Sequence, residues 1–588
     1  MSRPLFAAVI FAASFVSPST ATGAVVLDAT FDVFVQQLCD ALHVPGLSLA
    51  VVHRDSIESK GYGYATLPDV EATPDTLWYT GSTTKAFTAA AAALIVQDPL
   101  NHADVSWSSP VSQLLPGDFT LSDDYYTSHI SLEDALSHRS GLPRHDLAYG
   151  WDDADTLDMI RTMRHLPLTA EPRTKFQYSN LMYATIGAVL ERLTKLSFGQ
   201  VLRTLIWEPI GMISTTASLE EAKAARDSLG RRRLSKGYFW HRDHHLPEPY
   251  EAVKPMAGAG ATISSVNDYA LWVQALLNAG RNHSSPVSDR LFQDITAPRT
   301  IIDNAPGVQP QMPLLYALGW FVVTIGSHRI ITHSGAVPGF GANVYLLPDE
   351  GLGFVSMANT AGTSNVAGAI LFNEILKRSG KMSPPLDVDP LTLLLQDPIM
   401  FPGRPGLQHA PQNESQDLRQ SIHPVLPLPG LLQDYAGLYS HPAYGIFNVS
   451  LEDNEASYLD RPESTHQRPV TASSGPISLR IQPSKRTWPV EFVLTHESNT
   501  LFAATVCFVH GQGDVDDGCA AGMTGKRSNN QVRCRNEVFV EPILQVRAVF
   551  EYNLKGEVAK LGVELEAEML VTREDDWRNG MIWFVKQE

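Results

Sequence analysis

The chain has 588 residues, of which 44% are hydrophobic and 18% are charged, and its formal net charge at pH 7 is −18. This length is enough for several domains, and the apolar fraction is ordinary for a globular protein. The negative charge argues against a nucleic-acid partner, because binding to phosphates requires a basic surface.

The N-terminus has the pattern of a secretory signal peptide. Arg3 supplies a positive charge, residues 5–16 form an apolar core, and residues 18–24 are small. We predict that residues 1–24 are a signal peptide and that the protein is secreted, with no transmembrane segment left after cleavage. A retained membrane anchor is the alternative, but a spanning helix needs about 20 apolar residues.

A secreted protein can carry disulfides and glycans. Three of the four cysteines lie near the C-terminus, and Cys519–Cys534 is the simplest bridge among Cys507, Cys519 and Cys534, although spacing alone does not fix the pairing. Cys39 is then expected to be free and buried. Glycosylation sequons, a pattern that also arises by chance, begin at Asn282, Asn413 and Asn448.

The hydrophobic pattern predicts the first elements in chain order. Helical spacing of apolar residues indicates a helix over 29–43, and runs rich in strand formers, 46–52 and 58–65, indicate paired strands. A helix that begins at Ser82 and runs to Val96 is apolar on all sides, which predicts burial. Further helices are predicted over 130–136, capped by Ser131, over 181–193, capped by Ser179 or Asn180, and over 269–278.

The second half of the chain contains a strand-rich region, a linker and another domain. Strands are predicted over 328–332, 341–347 and 352–357, followed by a helix over 366–377 that completes a first domain, 25–382. From 383 to 430 prolines recur and periodicity is lost, which is typical of a linker. Short alternating strands, 445–451, 490–495 and 538–552, then indicate a separate β domain over 431–588.

Two patterns raise the question of a bound metal. Residues 241–245 contain three histidines, but their spacing fits neither a helical nor a finger-type site and favours a solvated loop. The acidic residues within 514–518 also miss the spacing of a calcium loop. We therefore predict no metal ion and no cofactor.

Ser82 and Lys85 are three residues apart at the start of the helix that is predicted to be buried. At this spacing the two side chains share a helix face, roughly 5–6 Å apart at Cβ. Burial lowers the pKa of a lysine, which would let Lys85 accept the Ser82 proton, and a helix N-terminus favours a nearby anion. The alternative is a helix cap followed by a lysine that extends to solvent.

Two later motifs join this pair. Tyr178-x-Asn180 stands at the start of a predicted helix, and His333-x-Gly335 follows a predicted strand. Singly, they are better explained by a core tyrosine and an edge-strand histidine. Together with Ser82-x-x-Lys85, their order and separation resemble the serine β-lactamase and penicillin-binding-protein superfamily. The tyrosine of the second motif points to its class C, esterase and D-aminopeptidase branch.

The resemblance covers roughly residues 30–380 and implies an α/β (α+β) fold. In this β-lactamase/transpeptidase-like fold, an antiparallel sheet is flanked by helices and a helical subdomain is inserted. Weaker matches lie at 136–142, 259–265 and 316–320. Residues 434–442 are similar to the start of a small C-terminal β-barrel found in some secreted members.

The resemblance also implies a role for each motif. Ser82 would be the acylated nucleophile, and Lys85 and Tyr178 would share the general-base and general-acid work. Asn180 would orient the substrate amide and hold Lys85. The remaining implied positions are His333 and Gly335, which would line the site from the edge strand, and the backbone N–H groups of Ser82 and Ala336, which would form the oxyanion hole.

One residue departs from the pattern of the true β-lactamases. His333 stands where they carry a lysine, and a histidine is mostly neutral at pH 7. We therefore do not expect efficient β-lactam hydrolysis. Esterase, D-amino-acid peptidase and acyl-transfer relatives often have histidine here, so the resemblance favours an ester or amide substrate.

The sequence thus predicts a secreted serine hydrolase that forms an acyl-enzyme with a small or peptide-like ester or amide. An acyltransferase with the same intermediate, or a slowly acylated penicillin-binding or sensor protein, is the alternative. A Ser-His-Asp enzyme of the α/β-hydrolase type is disfavoured, because the chain lacks the Gly-x-Ser-x-Gly elbow.

Overall fold

The computed structural model describes residues 27–150, 155–241, 243–250, 253–279, 286–302, 313–325, 327–380, 426–451, 478–511, 539–569 and 577–587. The predicted signal peptide, the Cys519–Cys534 bridge, the 514–518 segment and the sequons at Asn282 and Asn413 lie outside the described residues. Asn448 is exposed, and its glycosylation stays a prediction. Cys39 is free and buried, as predicted.

A nine-stranded antiparallel sheet forms the centre of the first domain within the described residues. The strands of this domain are β1 (Gly46–His53), β2 (Ile57–Thr66), β3 (Val70–Glu71), β4 (Trp78–Tyr79), β5 (Tyr238–His241), β6 (His244–Pro247), β7 (Ile263–Ser264), β8 (Thr300–Ile302), β9 (Leu314–Tyr316), β10 (Phe321–Ile325), β11 (His328–Val337), β12 (Phe340–Leu347) and β13 (Leu352–Ala358). The order across the sheet is β3-β2-β1-β13-β12-β11-β10-β9-β8. The predicted strand pair and hairpin are confirmed by the pairing of β1 with β2 and of β12 with β13.

The first domain also contains helices, some of which cover both faces of this sheet. They are α1 (Ala29–Ala41), α2 (Thr84–Val96), α3 (Val111–Leu114), α4 (Asp124–His129), α5 (Leu132–Leu136), α6 (Thr156–Thr162), α7 (Asn180–Thr194), α8 (Phe198–Leu202), α9 (Glu208–Ile210), α10 (Leu219–Ala224), α11 (Ala257–Gly260), α12 (Val266–Leu277), α13 (Asp289–Thr296) and α14 (Thr363–Ser379). Apolar side chains of α1 and α14 pack on one face, and α12 packs on β1 and β13 from the other. Because both faces are covered, β1 is buried over nearly its whole length.

The alanine-rich helix α2 lies in the middle of the first domain. Its alanines let α7, α11 and α13 approach closely, and its Phe87 ring packs against Trp207, Tyr269 and Trp272. The prediction that this helix is buried is therefore confirmed. Its predicted start is wrong by two residues, because Ser82 lies in a 3₁₀ turn, Gly81–Thr83, that precedes α2.

Two further sequence predictions are settled by local geometry. The Ser131 hydroxyl and the Asp134 carboxylate form a capping box at the start of α5, which confirms the predicted cap. The solvated loop expected over 241–245 is wrong, because β5 and β6 pair there as a hairpin.

The C-terminal region forms a closed antiparallel barrel, as predicted. Its strands are β14 (Gly437–His441), β15 (Gly445–Leu451), β16 (Ser478–Pro483), β17 (Val490–Ser498), β18 (Leu501–His510), β19 (Phe539–Tyr552), β20 (Val558–Val563) and β21 (Ile582–Lys586). Each strand pairs with the next in sequence, and β14 pairs with β21 to close the barrel. The phenylalanine rings at 447, 492, 502, 550 and 584 fill its buried interior. The domain boundaries at 382 and 430 stay predictions, because residues 381–425 lie outside the described residues.

The barrel docks on the first domain through buried polar contacts. The backbone N–H of His145 donates to Glu566 Oε2 at 2.7 Å, and the Tyr444 hydroxyl lies 2.7 Å from His145 Nδ1. Gln177 Nε2 donates to Glu568 Oε2 at 2.6 Å. These contacts join the barrel to residues that precede the second motif, and Gln177 is directly adjacent to Tyr178.

We expect Glu566→Gln to change how stability depends on pH. Burial raises the pKa of Glu566 to about 7, against 4.5 for an ordinary glutamate, and the carboxylates of Asp146 and Glu568 act in the same direction. The folded protein therefore holds a proton that the unfolded chain releases, so this carboxyl costs stability as pH rises from about 4.5 to 7.

The measurement is thermal unfolding of both proteins between pH 4 and 8. His145, whose pKa burial lowers to about 4, acts in the opposite direction, but it is common to both proteins. The wild-type Tm minus the variant Tm should therefore fall through this window and level off above pH 7. Parallel curves would contradict the prediction.

Candidate active site

Lys85 is fully buried, and its amine touches three polar groups. Its Nζ lies 3.0 Å from Ser82 Oγ, 2.8 Å from Asn180 Oδ1 and 2.9 Å from the Ala259 carbonyl oxygen. The carbonyl oxygens of Asn180 and Ala259 can only accept hydrogen bonds, whereas the Ser82 hydroxyl can also donate. A neutral amine has two N–H donors and one lone pair, so it satisfies all three neighbours with the lone pair directed at the Ser82 hydroxyl.

The surroundings of Lys85 favour this neutral form. Burial lowers its pKa well below the usual value, and the Arg144 guanidinium lowers it further, while Asp146 opposes the shift. The predicted proximity of Ser82 and Lys85 on one face is therefore observed. In its neutral form the amine can accept the Ser82 proton.

Two glycines let strand β11 pass directly over the turn that carries Ser82. A Cβ on Gly335 would lie 1.9 Å from the Thr80 carbonyl oxygen. Gly81 has a positive φ of +51°, and a Cβ on it would lie 2.7 Å from the Ala336 backbone nitrogen. Any other residue would push the strand and the turn apart. Ser82 and Ala336 therefore line the same cavity.

The Tyr178 ring lies between three functional side chains. The Lys85 amine is 4.9 Å from its centroid, the Arg144 guanidinium carbon is 5.0 Å away, and the His138 ring is tilted against it at 4.2 Å. His138 is in turn fixed by accepting a hydrogen bond at Nδ1 from the Ser179 N–H, at 3.0 Å. The second motif is thus held beside the first, as its predicted role requires.

His333 is buried and neutral. Burial is the main cause that lowers its pKa to about 3, and a positive charge on Lys85, whenever that amine is protonated, acts in the same direction. Its Nδ1 donates to the Ser334 carbonyl at 2.6 Å, which leaves Nε2 to accept from the Tyr316 hydroxyl at 3.2 Å. The third motif therefore supplies no cation to the site.

The prediction that His333 lies on an edge strand is wrong for the sheet as a whole. Strand β11 lies between β12 and β10, because the short strands β8 to β10 add to the sheet outside it. Its pairing with β10 ends at Thr332, however. The stretch from His333 to Val337 is therefore locally open on the side of the Ser82 turn.

Sequence reasoning missed a cluster on the loop after Gly141. Asp146 accepts hydrogen bonds from Arg144 Nε at 2.7 Å, from the Tyr149 hydroxyl at 2.9 Å and from Asn180 Nδ2 at 3.2 Å. The last contact fixes the orientation of the Asn180 amide, so that its oxygen faces Lys85. The only available signal was the weak family match at 136–142, which ends just before this loop.

Neither a metal centre nor a membrane helix is found among the described residues. No group of three or more histidine, cysteine, aspartate or glutamate side chains in this part of the chain is arranged to hold a metal ion. Its helices are likewise all too short or too polar to cross a bilayer.

The fold and this site define a serine hydrolase of the β-lactamase and penicillin-binding-protein type. Residues 31–374, more than half of the chain, match the Beta-lactamase family, and the chain belongs to that family. The predicted superfamily is thereby confirmed.

Several known proteins are similar to this chain. An unguisins hydrolase of Aspergillus campestris is 36% identical, over 80% of this chain and 87% of its own. An unguisins hydrolase of Aspergillus violaceofuscus is 30% identical, over 83% and 84%. The flp protein of Staphylococcus aureus is 27% identical over 54% of this chain and 60% of its own.

One solved structure covers nearly the whole chain. It is the octameric penicillin-binding protein homologue from Pyrococcus abyssi, with a TM-score of 0.50 and 16% identity, over 95% of this chain and 99% of that one. At this identity the likeness shows the fold alone.

Proposed function

We propose that the protein is a secreted hydrolase that cleaves a small or peptide-like ester or amide through an acyl-enzyme at Ser82. The observation that carries the proposal is the 3.0 Å contact between Lys85 Nζ and Ser82 Oγ. The other two neighbours of the Lys85 amine, Asn180 Oδ1 and the Ala259 carbonyl, accept hydrogen bonds from both N–H groups of its neutral form. The lone pair is then left for the serine proton.

In the first step, Ser82 Oγ attacks the substrate carbonyl carbon while its proton passes to Lys85 Nζ. The negative charge that develops on the carbonyl oxygen is stabilised by the N–H groups of Ser82 and Ala336. The proton then moves from Lys85 through the Tyr178 hydroxyl to the leaving oxygen or nitrogen. The bond to the leaving group breaks, and the acyl group stays on Ser82.

In the second step, water attacks the acyl-enzyme and loses its proton to Lys85 or Tyr178. The bond between the acyl carbon and Ser82 Oγ breaks, and the proton returns to the serine. Asn180 Nδ2, which already faces the Tyr149 hydroxyl at 3.2 Å, is placed to orient an amide of the substrate.

Two observations bear on the substrate. His333 is neutral, so the site does not offer the lysine cation of the true β-lactamases, and we expect little β-lactam hydrolysis. Two relatives are named for the hydrolysis of unguisins, and we propose a compound of that kind as one candidate substrate.

The test is covalent labelling with a fluorophosphonate, together with a burst of p-nitrophenol from a p-nitrophenyl ester. We expect the wild type to be labelled at Ser82 and to turn over. Ser82→Ala should abolish both signals, while Ser128→Ala, at an exposed serine, should leave them unchanged. Equal labelling of Ser82→Ala would contradict the nucleophile. An adduct that forms without turnover would instead assign a slowly acylated binding protein.

Secretion is tested separately by sequencing the N-terminus of the protein recovered from culture medium. We expect the mature chain to begin close to residue 25. Protein that stays inside the cell with residues 1–24 attached would refute this part of the proposal.

A further inference from the structure

A turn of the C-terminal barrel reaches the active site of the first domain. We name residues 484–489, between β16 and β17, the barrel loop. Arg486 Nη1 donates to the Leu147 carbonyl at 2.8 Å, and the Trp488 indole N–H donates to the Tyr149 hydroxyl at 2.9 Å. Gly150 leaves room for Thr487, because a Cβ on it would lie 1.8 Å from Thr487 Oγ1.

The barrel loop completes the cavity in front of Ser82. Thr487 and Trp488 line this cavity together with Ser82 and Asn180, and the volume that remains is about 40 Å³. On this measure one water molecule needs roughly 10–15 Å³, so the cavity has room for a few water-sized groups only. The described lining contains no charged side chain, and it includes the apolar residues Val253, Met256, Val337 and Pro338.

The cavity lies on the acyl side of the proposed reaction. Asn180, which in the proposed function orients the substrate amide, lines it together with Tyr149. The described lining includes neither Tyr178 nor His333, although Tyr178 is the group that would protonate the leaving atom. A group that enters the cavity is therefore attached to the carbonyl carbon and not to the leaving group.

We propose that Trp488 determines the acyl specificity of the enzyme. Its indole ring closes the acyl cavity, so the enzyme accepts short, uncharged acyl groups and rejects bulky ones. This inference rests on the proposed function, since it requires an acyl-enzyme at Ser82. The residue that selects the acyl group then comes from the barrel, whereas the nucleophile and the base come from the first domain.

The test compares p-nitrophenyl acetate with p-nitrophenyl phenylacetate, which share a leaving group and differ only in the acyl group. Trp488→Ala should raise the ratio of kcat/KM for phenylacetate to that for acetate by about tenfold or more, the size of effect that a resized pocket produces. Trp488→Phe keeps a ring but loses the bond to Tyr149, and its ratio should stay close to the wild-type value. Leu554→Ala, at a fully exposed barrel residue, is the matched control.

The possible outcomes separate this inference from the proposed function. An unchanged or lowered ratio in a Trp488→Ala enzyme that still labels with fluorophosphonate would overturn the role of Trp488. If Trp488→Ala does not fold, the same ratio is read on Trp488→Leu, which keeps an apolar side chain at the domain contact. Failure of the wild type to label would instead refute the acyl-enzyme itself.

Discussion

Replacing Lys85 with alanine is expected to lower kcat/KM for a p-nitrophenyl ester by roughly 10³- to 10⁴-fold, the size of a lost general base. The variant removes the only group within 3.0 Å of Ser82 Oγ that the proposal uses as a proton acceptor. Lys85→Arg should be equally inactive, because a guanidinium keeps the positive charge but cannot accept a proton at working pH. The comparison of Lys85→Arg with the wild type therefore distinguishes a general base from a side chain that only supplies positive charge.

The pH dependence of the wild type provides a second readout. Only neutral Lys85 can accept the proton, and burial lowers its pKa well below the usual lysine value. The rate should therefore rise with pH and reach its plateau well below the pKa of a free lysine. Lys60→Ala, which removes an ion pair on the far strand β2, serves as the control. Near-normal turnover by Lys85→Ala would refute the assigned base.

Replacing Tyr178 with phenylalanine should have an effect that depends on the leaving group. The ring stays against Lys85 and His138, so packing is retained and only the hydroxyl is lost. For an amide or an alkyl ester, whose leaving atom must be protonated, we expect kcat/KM to fall by about 10²- to 10³-fold. For a p-nitrophenyl ester, whose leaving group departs as an anion, the loss should be much smaller.

The measurement is kcat/KM for a series of esters of one acid with alcohols of increasing pKa. A plot of log kcat/KM against the pKa of the leaving alcohol should be steeper for Tyr178→Phe than for the wild type. Tyr125→Phe, at an exposed tyrosine, should reproduce the wild-type slope. An equal loss for all leaving groups would show that Tyr178 does not protonate the leaving atom.

The parts of the site that depend on local spacing were predictable from the sequence. Ser82 and Lys85 are three residues apart, and the alanines that follow them predicted a buried helix, so the low pKa of the lysine followed from the sequence. The 3₁₀ turn at Ser82 was missed because it depends on the positive φ of Gly81 against a strand that is distant in the sequence.

The parts that depend on contacts between distant surfaces were not predictable. Trp488 is separated from Tyr149 by more than 300 residues, and only the docking of the barrel brings the two together. Asp146 and Arg144 belong to no recognised motif, yet they orient Asn180 and act on Lys85. The edge-strand expectation for His333 failed because strands as short as β8 and β9 give little periodicity to read.

The barrel loop also affects how this enzyme can diversify. The residues that break the bond and the residue that we propose to select the substrate are encoded in different domains, so a substitution in the six residues 484–489 leaves Ser82, Lys85 and Tyr178 untouched. If Trp488 has the proposed role, mutational drift in this single turn at the domain contact would suffice to retune substrate choice while the chemistry stays constant. Libraries randomised only at this turn are accordingly the shortest route to new substrates on this scaffold.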